Sequence, residues 1–243
     1  MSLDGRVIVI TGASAGLGAG MAERFSERGA SLGLCARREP SLAGDSIVSR
    51  SVDVTDLDGL KAFAREVSAD LGPIDLWINN AALLEPIVPQ RDLTFEQMEG
   101  HLAVSLGGVL NGTKTLLALS DADGHRGALV NITSGLARYG MAGLSAYSAA
   151  KAGVDRLTEI VAIEESESLT MALAVSPGVI ETEMQQTLRQ QDAAVLHDVE
   201  MFRRRKAEEA MTSPAWVADA IAGWVFEGIE PDGVVVRVPE ELA

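Results

Sequence analysis

Cysteine is almost missing from this chain of 243 residues: Cys35 is the only one, so no internal disulfide can form. Its place in an apolar run marks it as a buried thiol. Aromatic residues are scarce, 4% against 47% hydrophobic overall, so the core must be aliphatic. The histidines, His101, His125 and His197, are too scattered for ligand spacing, and no metal site is expected. Positive charge is outnumbered, 20 Lys and Arg against 35 Asp and Glu, for a net charge of −15. That argues against nucleic acid and anionic membranes as partners, since both require basic patches. No apolar run reaches about 18 residues, the length needed to cross a bilayer. The opening MSLDGR lacks the basic and apolar pattern of a secretory leader, so a cytoplasmic location is expected.

What is present alternates. Short apolar runs at 6–11, 31–36, 48–54, 74–79, 127–133, 170–175 and 233–238 read as strands, seven in all. Between them lie helical patterns: one running to about residue 28, then 55–70, 94–119, 145–165 and 213–226. Thr55, with Asp58 three residues on, is the expected cap of one helix, and Thr94 with Gln97 that of the next. The segment 39–44 is short and holds Pro40, leaving little room for a crossover helix. Strands alternating with helices predict one α/β domain over 1–243, a doubly wound parallel sheet (Rossmann-like) with helices on both faces. The stretch 183–212 breaks the rhythm with a polar run and the basic cluster Arg203 to Lys206. Its place beyond a strand's C-terminal end suits a substrate lid.

The first strand is followed at once by Gly12, Ser14, Gly16, Leu17 and Gly18, then a helix. Glycines there let backbone approach a pyrophosphate, and the helix N-terminus attracts its charge. An acidic residue ending the second strand would bond a ribose 2′-hydroxyl and favour NAD(H). This chain has Ala36 there, then Arg37 and Arg38, two guanidiniums expected to stand without a nearby carboxylate, which favours the 2′-phosphate of NADP(H) over NAD(H). Farther on, Tyr147 and Lys151 are spaced i,i+4, so a helix sets them side by side. A free tyrosine titrates near pH 10, at about 10, and a neighbouring ammonium is expected to lower that value. Ser134, at the end of the fifth strand, can hydrogen-bond a carbonyl oxygen that the tyrosine protonates.

With those residues in hand, the chain resembles a short-chain dehydrogenase/reductase over about residues 6–238. The matching positions are Thr11-Gly12-x-x-x-Gly16-x-Gly18, Asp53-Val54, Asn79-Asn80-Ala81, Ser134, Tyr147-x-x-x-Lys151 and Pro177-Gly178. The resemblance implies that Tyr147 is the general acid or base, that Lys151 lowers its pKa and bonds the nicotinamide ribose, and that Ser134 orients the carbonyl. It implies that the loop from Gly12 to Gly18 cradles the pyrophosphate and that Arg37 takes the 2′-phosphate. Asp53 and Val54 would meet the adenine, Asn80 the ribose side, and Val179 and Thr182 the nicotinamide amide. Family members pair through the long helix and the Tyr147 helix, implying a homodimer or homotetramer. The stretch after Pro177 is similar to sepiapterin reductase and the benzil reductases, which reduce one carbonyl of a vicinal dicarbonyl or a similar ketone.

Three positions depart from that pattern. Ser105 stands where the family's Asn holds a water that extends the proton relay from the lysine. Ala82 replaces a usual Gly, and Ala15 sits where NADP-specific members carry a basic residue. Ser105 also motivates the alternative of a dinucleotide-binding regulator or scaffold with vestigial catalysis. An epimerase or dehydratase on the same scaffold is the third possibility.

Overall fold

All seven strands form and all pair in parallel: β1 (Val7–Thr11), β2 (Ser31–Ala36), β3 (Ile47–Ser51), β4 (Leu76–Asn79), β5 (Ala128–Ile132), β6 (Met171–Ser176) and β7 (Val235–Arg237). This computed structural model describes residues 1–208 and 211–241. The spatial order is β3-β2-β1-β4-β5-β6-β7. The winding reverses between β1 and β4, and doubly wound sheets bind ligands beyond the strand ends at such a point.

The pleat explains why β1 is apolar from Val7 to Ile10. Ile8 and Ile10 enter one core layer, while Val7 and Val9 enter the other. The first layer is closed by α1 (Gly16–Glu27) and α8 (Pro214–Phe226), the second by α2 (Leu57–Leu71), α4 (Gly108–Asp123) and α5 (Ser145–Glu164). The α1–α8 contact is fastened by charge: Arg24 and Arg28 each place a guanidinium nitrogen 2.8 Å from Asp219. Burial pushes the Asp219 carboxyl up, but the two guanidiniums outweigh it and hold the carboxyl below its usual range. Cys35 is buried in β2, and desolvation pushes its thiol up to about 12, so it stays protonated and inert.

Several boundaries differ from expectation. β3 leaves the sheet at Ser51 instead of running to residue 54, because Asp53 turns back to accept hydrogen bonds from Thr55 N and Oγ1, at 2.9 and 2.8 Å. That commits the Thr55 hydroxyl, and the α2 cap passes to Asp56, which accepts from Gly59 N at 3.0 Å. The Thr94–Gln97 capping box does form, but the helix it opens is not continuous. It runs as α3 (Phe95–Leu102), a π-helical turn (Ala103–Gly107) and then α4. Taken together, Phe95–Ala122 is long and apolar enough by composition to cross a bilayer, against the expectation that no such stretch exists. In the fold it lies against β4, α2 and α5 instead. Just past the break the helix lies close against Val54: a Cβ on Gly108 would come within 2.6 Å of Val54 Cγ2.

A buried polar chain ties these elements together. Trp77 Nε1 donates to Asn79 Oδ1 (2.8 Å), Asn79 Nδ2 to Asn131 Oδ1 (2.9 Å), and Asn131 Nδ2 to Thr158 Oγ1 (2.9 Å). It runs from β4 through β5 into α5, so the helix bearing Tyr147 and Lys151 is registered on the sheet by bonds that water cannot compete for. As expected, no helix joins β2 to β3. The proposed lid region holds α6 (Glu183–Arg189) and α7 (Val199–Ala207); its residues 209 and 210 lie outside the described residues.

Candidate active site

The loop after β1 turns on Gly12 and Gly16, whose φ angles of 67° and 57° are ones that side-chain-bearing residues rarely adopt. It is clamped from β4. Thr11 Oγ1 accepts from Asn80 N and Ala81 N at 3.1 and 3.2 Å, and Asn80 Nδ2 donates to Thr11 O and Gly12 O at 3.0 and 3.2 Å. Beyond the loop, the N-cap Ala15 has no side chain to satisfy the first N–H groups of α1, and the first turn holds no acidic residue. Free N–H groups at a positive helix end suit a phosphate, so this loop fits the pyrophosphate of a dinucleotide.

A cavity of about 1010 Å³ runs from that loop along the C-terminal strand ends. Gly12, Ser14, Gly16 and Leu17 line its start, with Arg37, Arg38, Asp53 and Val54 at one side and Asn80 and Ala81 beneath. Pro177, Gly178, Val179 and Thr182 line it farther on, beside Ser134, Tyr147 and Lys151. Two expected residues stand apart. Gly18 is not part of the lining; a Cβ there would lie 2.4 Å from Gly12 O, so its role is to let α1 lie against the loop. Ser105 is fully buried behind the cavity wall. The two guanidiniums are not without nearby carboxylates: Glu39 follows Arg38 directly, and the Asp53 carboxylate is close enough for the Arg37 charge to help lower its pKa, after the larger effect of its bond from Thr55 N.

At the inner end, Tyr147 and Lys151 share one face of α5, with Lys151 Nζ 5.8 Å from the centre of the Tyr147 ring. Ser134 lies close enough to the Tyr147 hydroxyl to act on its pKa, and its Oγ accepts from Leu136 N at 3.2 Å. Lys151 is buried, and Nζ donates to Ile132 O at 2.7 Å. Burial lowers its pKa to about 8, with Asp155, one turn farther along α5, opposing. The expected lowering of Tyr147 is reversed in the folded chain. Burial raises the phenol, and Ser134 pulls it back only in part. The ammonium hydrogen-bonds a backbone carbonyl, and the shared low-dielectric surroundings favour the neutral phenol.

Ser105 sits in the π-helical turn, where its Oγ accepts from Leu83 N at 3.0 Å, holding the strand that leaves β4. Asn111, six residues beyond Ser105 on α4, does not take its place: its Nδ2 donates to Val54 O at 2.9 Å.

The profile of the short chain dehydrogenase family matches residues 6–193, a span that includes every one of these groups. The chain belongs to the short-chain dehydrogenase/reductase family. It is 27% identical over 240 residues to benzil reductase ((S)-benzoin forming) of Bacillus subtilis (strain 168), covering 96% of this chain and 98% of that one. It is 33% identical over 233 residues to cis-4-hydroxycyclohexanecarboxylate dehydrogenase of Sinomonas cyclohexanicum, covering 92% and 93%. A short chain dehydrogenase from Burkholderia cenocepacia J2315, solved in complex with NADP, superposes with a TM-score of 0.76 at 26% identity, covering 98% of this chain and 90% of that one. The expected likeness to benzil reductases is thus present.

In this dehydrogenase/reductase the pocket wall beyond Tyr147 was legible only in part, through the stretch 183–212 that supplies Leu188, Met201 and Phe202. Leu84, Met141, Leu144, Leu188, Met201 and Phe202 line it and form an apolar cluster distinct from the two sheet cores. They come from four separate segments, so no periodicity announces them. His101, expected only as one of three scattered histidines, is buried on α3 with its Nδ1 2.8 Å from Glu85 O.

Proposed function

We propose that this chain is an NADP(H)-dependent carbonyl reductase, moving a hydride between NADP(H) and a ketone or secondary alcohol. The observation that carries the proposal is the convergence of Ser134, Tyr147 and Lys151, the last two on one helix face, at the inner end of the cavity that starts at the glycine loop. The bound nicotinamide supplies the hydride to the carbonyl carbon. Ser134 orients the carbonyl oxygen by hydrogen bonding. Tyr147, a neutral phenol at pH 7 whose pKa burial raises further, donates its phenolic proton to the developing alkoxide. Lys151 keeps positive charge beside the phenolate so formed and bonds the nicotinamide ribose. In the oxidative direction the phenolate is the base.

The loop from Gly12 to Leu17 with the α1 N-terminus would hold the pyrophosphate, and Asp53, Val54 and Asn80 the adenosine half. Pro177 to Val179 and Thr182 would hold the nicotinamide end. Arg37 and Arg38, both exposed at the cavity, would take the 2′-phosphate; Arg38 also reaches Ser14 O at 3.3 Å. Replacing Arg37 by Ala is expected to raise the KM for NADPH about tenfold while leaving that for NADH within twofold, the scale of one charge-assisted bond. Equal effects on both would remove the 2′-phosphate role.

The apolar wall of Met141, Leu144, Leu188, Met201 and Phe202 suits a ring-bearing ketone, in keeping with the substrates in the relatives' names. Arg205, one turn beyond Met201 on α7, also lines the cavity and would meet an acid group. The lid role of 183–212 belongs to the same proposal. The test is NADPH oxidation, followed by nicotinamide absorbance, against benzil, 4-oxocyclohexanecarboxylate, quinones and aliphatic ketones, with NADH alongside. Turnover of a cyclic or aromatic ketone with NADPH supports the assignment. Cofactor binding with no turnover across the panel favours the second reading, a dinucleotide-binding regulator, for which the commitment of Ser105 to Leu83 N is the supporting observation.

A homodimer or homotetramer would cover the apolar residues left exposed on the long helices, Leu110 on α4 and Ile160 and Ile163 on α5.

A further inference from the structure

Arg203 and Lys206, the two ends of the basic cluster on α7, have no part in the proposed chemistry, yet both are committed in the fold. Arg203 Nε donates to Arg189 O, in the last turn of α6, at 3.1 Å. Lys206 Nζ lies 3.3 Å from Glu181 Oε2. Arg189 completes the figure from α6: its Nη1 and Nη2 donate to the two Glu181 carboxylate oxygens at 3.1 and 2.5 Å. A two-pronged bond of this kind fixes geometry as well as adding energy. The Arg189 side chain is only 16% exposed, so salt screens this pair less than an open surface pair. The Arg189 bond, with Lys206 adding to it, holds the Glu181 carboxyl below its usual range against the smaller opposing effect of burial. Among the described residues, Glu181 is the one carboxylate ion-paired to both α6 and α7.

What Glu181 joins gives the tie its meaning. It stands between Val179 and Thr182, which line the cavity, but does not line the cavity itself. A Cβ on Gly16 would lie 3.1 Å from Thr182 Cγ2, so this segment abuts the glycine loop. The same few residues anchor both ends of the 183–212 stretch. Thr182 Oγ1 accepts from Gln185 N at 3.4 Å and caps α6, while Val179 O accepts from Thr212 N at 2.8 Å. Glu181 draws the far ends of both helices back to that base. Leu188, next to Arg189, and Phe202, one turn before Lys206, are buried in the apolar cluster against which Tyr147 packs.

We propose that Glu181 is a positioning residue for the substrate: by tying α6 and α7 to the segment beside the glycine loop, it holds the apolar wall of Leu188, Met201 and Phe202 against Tyr147. It touches neither the ketone nor the reacting atoms. Its effect passes through the wall, so it falls on the binding of ketones large enough to reach that wall and not on the chemical step.

This inference rests on the carbonyl-reductase reading, and its test separates the two. Glu181→Gln keeps the shape of the side chain and removes its charge. With NADPH and benzil its KM is expected to rise about fivefold, the scale of one bidentate ion pair, while kcat and the affinity for NADPH stay within twofold. With a small aliphatic ketone the KM should stay within twofold. Arg189→Met should also raise the KM for benzil, and the double variant should be no worse than Glu181→Gln, because both changes cut the same tie. A benzil KM within twofold of the parent in Glu181→Gln overturns the proposal. So does an equal rise for the small ketone, or an equal loss of NADPH affinity, since either would place the effect outside the wall. A readout without turnover runs alongside. Amides of 183–207 in Glu181→Gln should exchange with deuterated solvent about threefold faster than in the parent, while those of α1 and α8 keep their rates. Unchanged exchange across 183–207 overturns the proposal even where benzil is not reduced. Faster exchange there, in a parent that reduces no ketone, supports the tie and counts against the reductase assignment.

Discussion

Phenylalanine in place of Tyr147 is expected to lower kcat/KM for ketone reduction by about 10²–10⁴-fold, the scale of a lost general acid. The change removes one oxygen and leaves a ring that still packs against the α6–α7 cluster, so fold and NADPH binding should be preserved. Ser134 would still hold the carbonyl, but the alkoxide would have no proton donor held in place. The environment of the hydroxyl also sets a direction. Burial keeps the phenol protonated at neutral pH, which is the form reduction uses. Alcohol oxidation needs the phenolate, so its rate should climb with pH through the alkaline range while reduction declines. Stopped-flow traces in both directions, with cofactor affinity measured by fluorescence titration, would check this. A Tyr147→Phe enzyme with full turnover would end the proposed mechanism.

The features legible in the sequence were those in which one local pattern carries one structural consequence. Four consecutive apolar residues in β1, Val7 to Ile10, can satisfy both faces of a sheet only as an inner parallel strand, and that is where they lie. Tyr147 and Lys151 are neighbours on any helix. The glycine loop stands between a strand and a helix, where its backbone is needed. What stayed hidden depends on competition between neighbours. Thr55 and Asp56 can both cap a helix, and the decision rests on Asp53 claiming the threonine hydroxyl. Gly18 belongs to the motif, yet it faces Gly12 O and not the cavity, a difference that spacing cannot express. Ser105 is read correctly as a departure, but its bond to Leu83 and the π-helical turn around it depend on how two distant segments meet. The pocket wall draws on residues from 84 to 202, so it exists only once the chain is folded.

Methionine in place of Lys151 should separate stability from activity, because the two depend on this side chain with opposite signs. The amine is held in a buried site where its pKa falls from 10.5 to about 8. At about 1.4 kcal/mol per unit, keeping it charged at neutral pH destabilises the fold by about 3 kcal/mol. The lowered pKa means that between roughly pH 8 and 10.5 the unfolded chain holds a proton that the folded chain has released. Stability therefore rises with pH across that window, and the full penalty is present below it. Methionine fills similar volume without charge, but it leaves Ile132 O without its donor, a loss of about 1–2 kcal/mol. The net expectation at pH 7 is a variant more stable than the parent by about 1–2 kcal/mol, with kcat for ketone reduction lowered about 10²-fold or more. Urea unfolding at pH 7 and near pH 10 tests the sign: the parent should gain stability on going alkaline and the variant should not, so that the gap closes or reverses. A variant less stable than the parent at pH 7 would mean that the bond to Ile132 outweighs desolvation, and that Lys151 belongs to the architecture of the α5–β5 contact as much as to its chemistry.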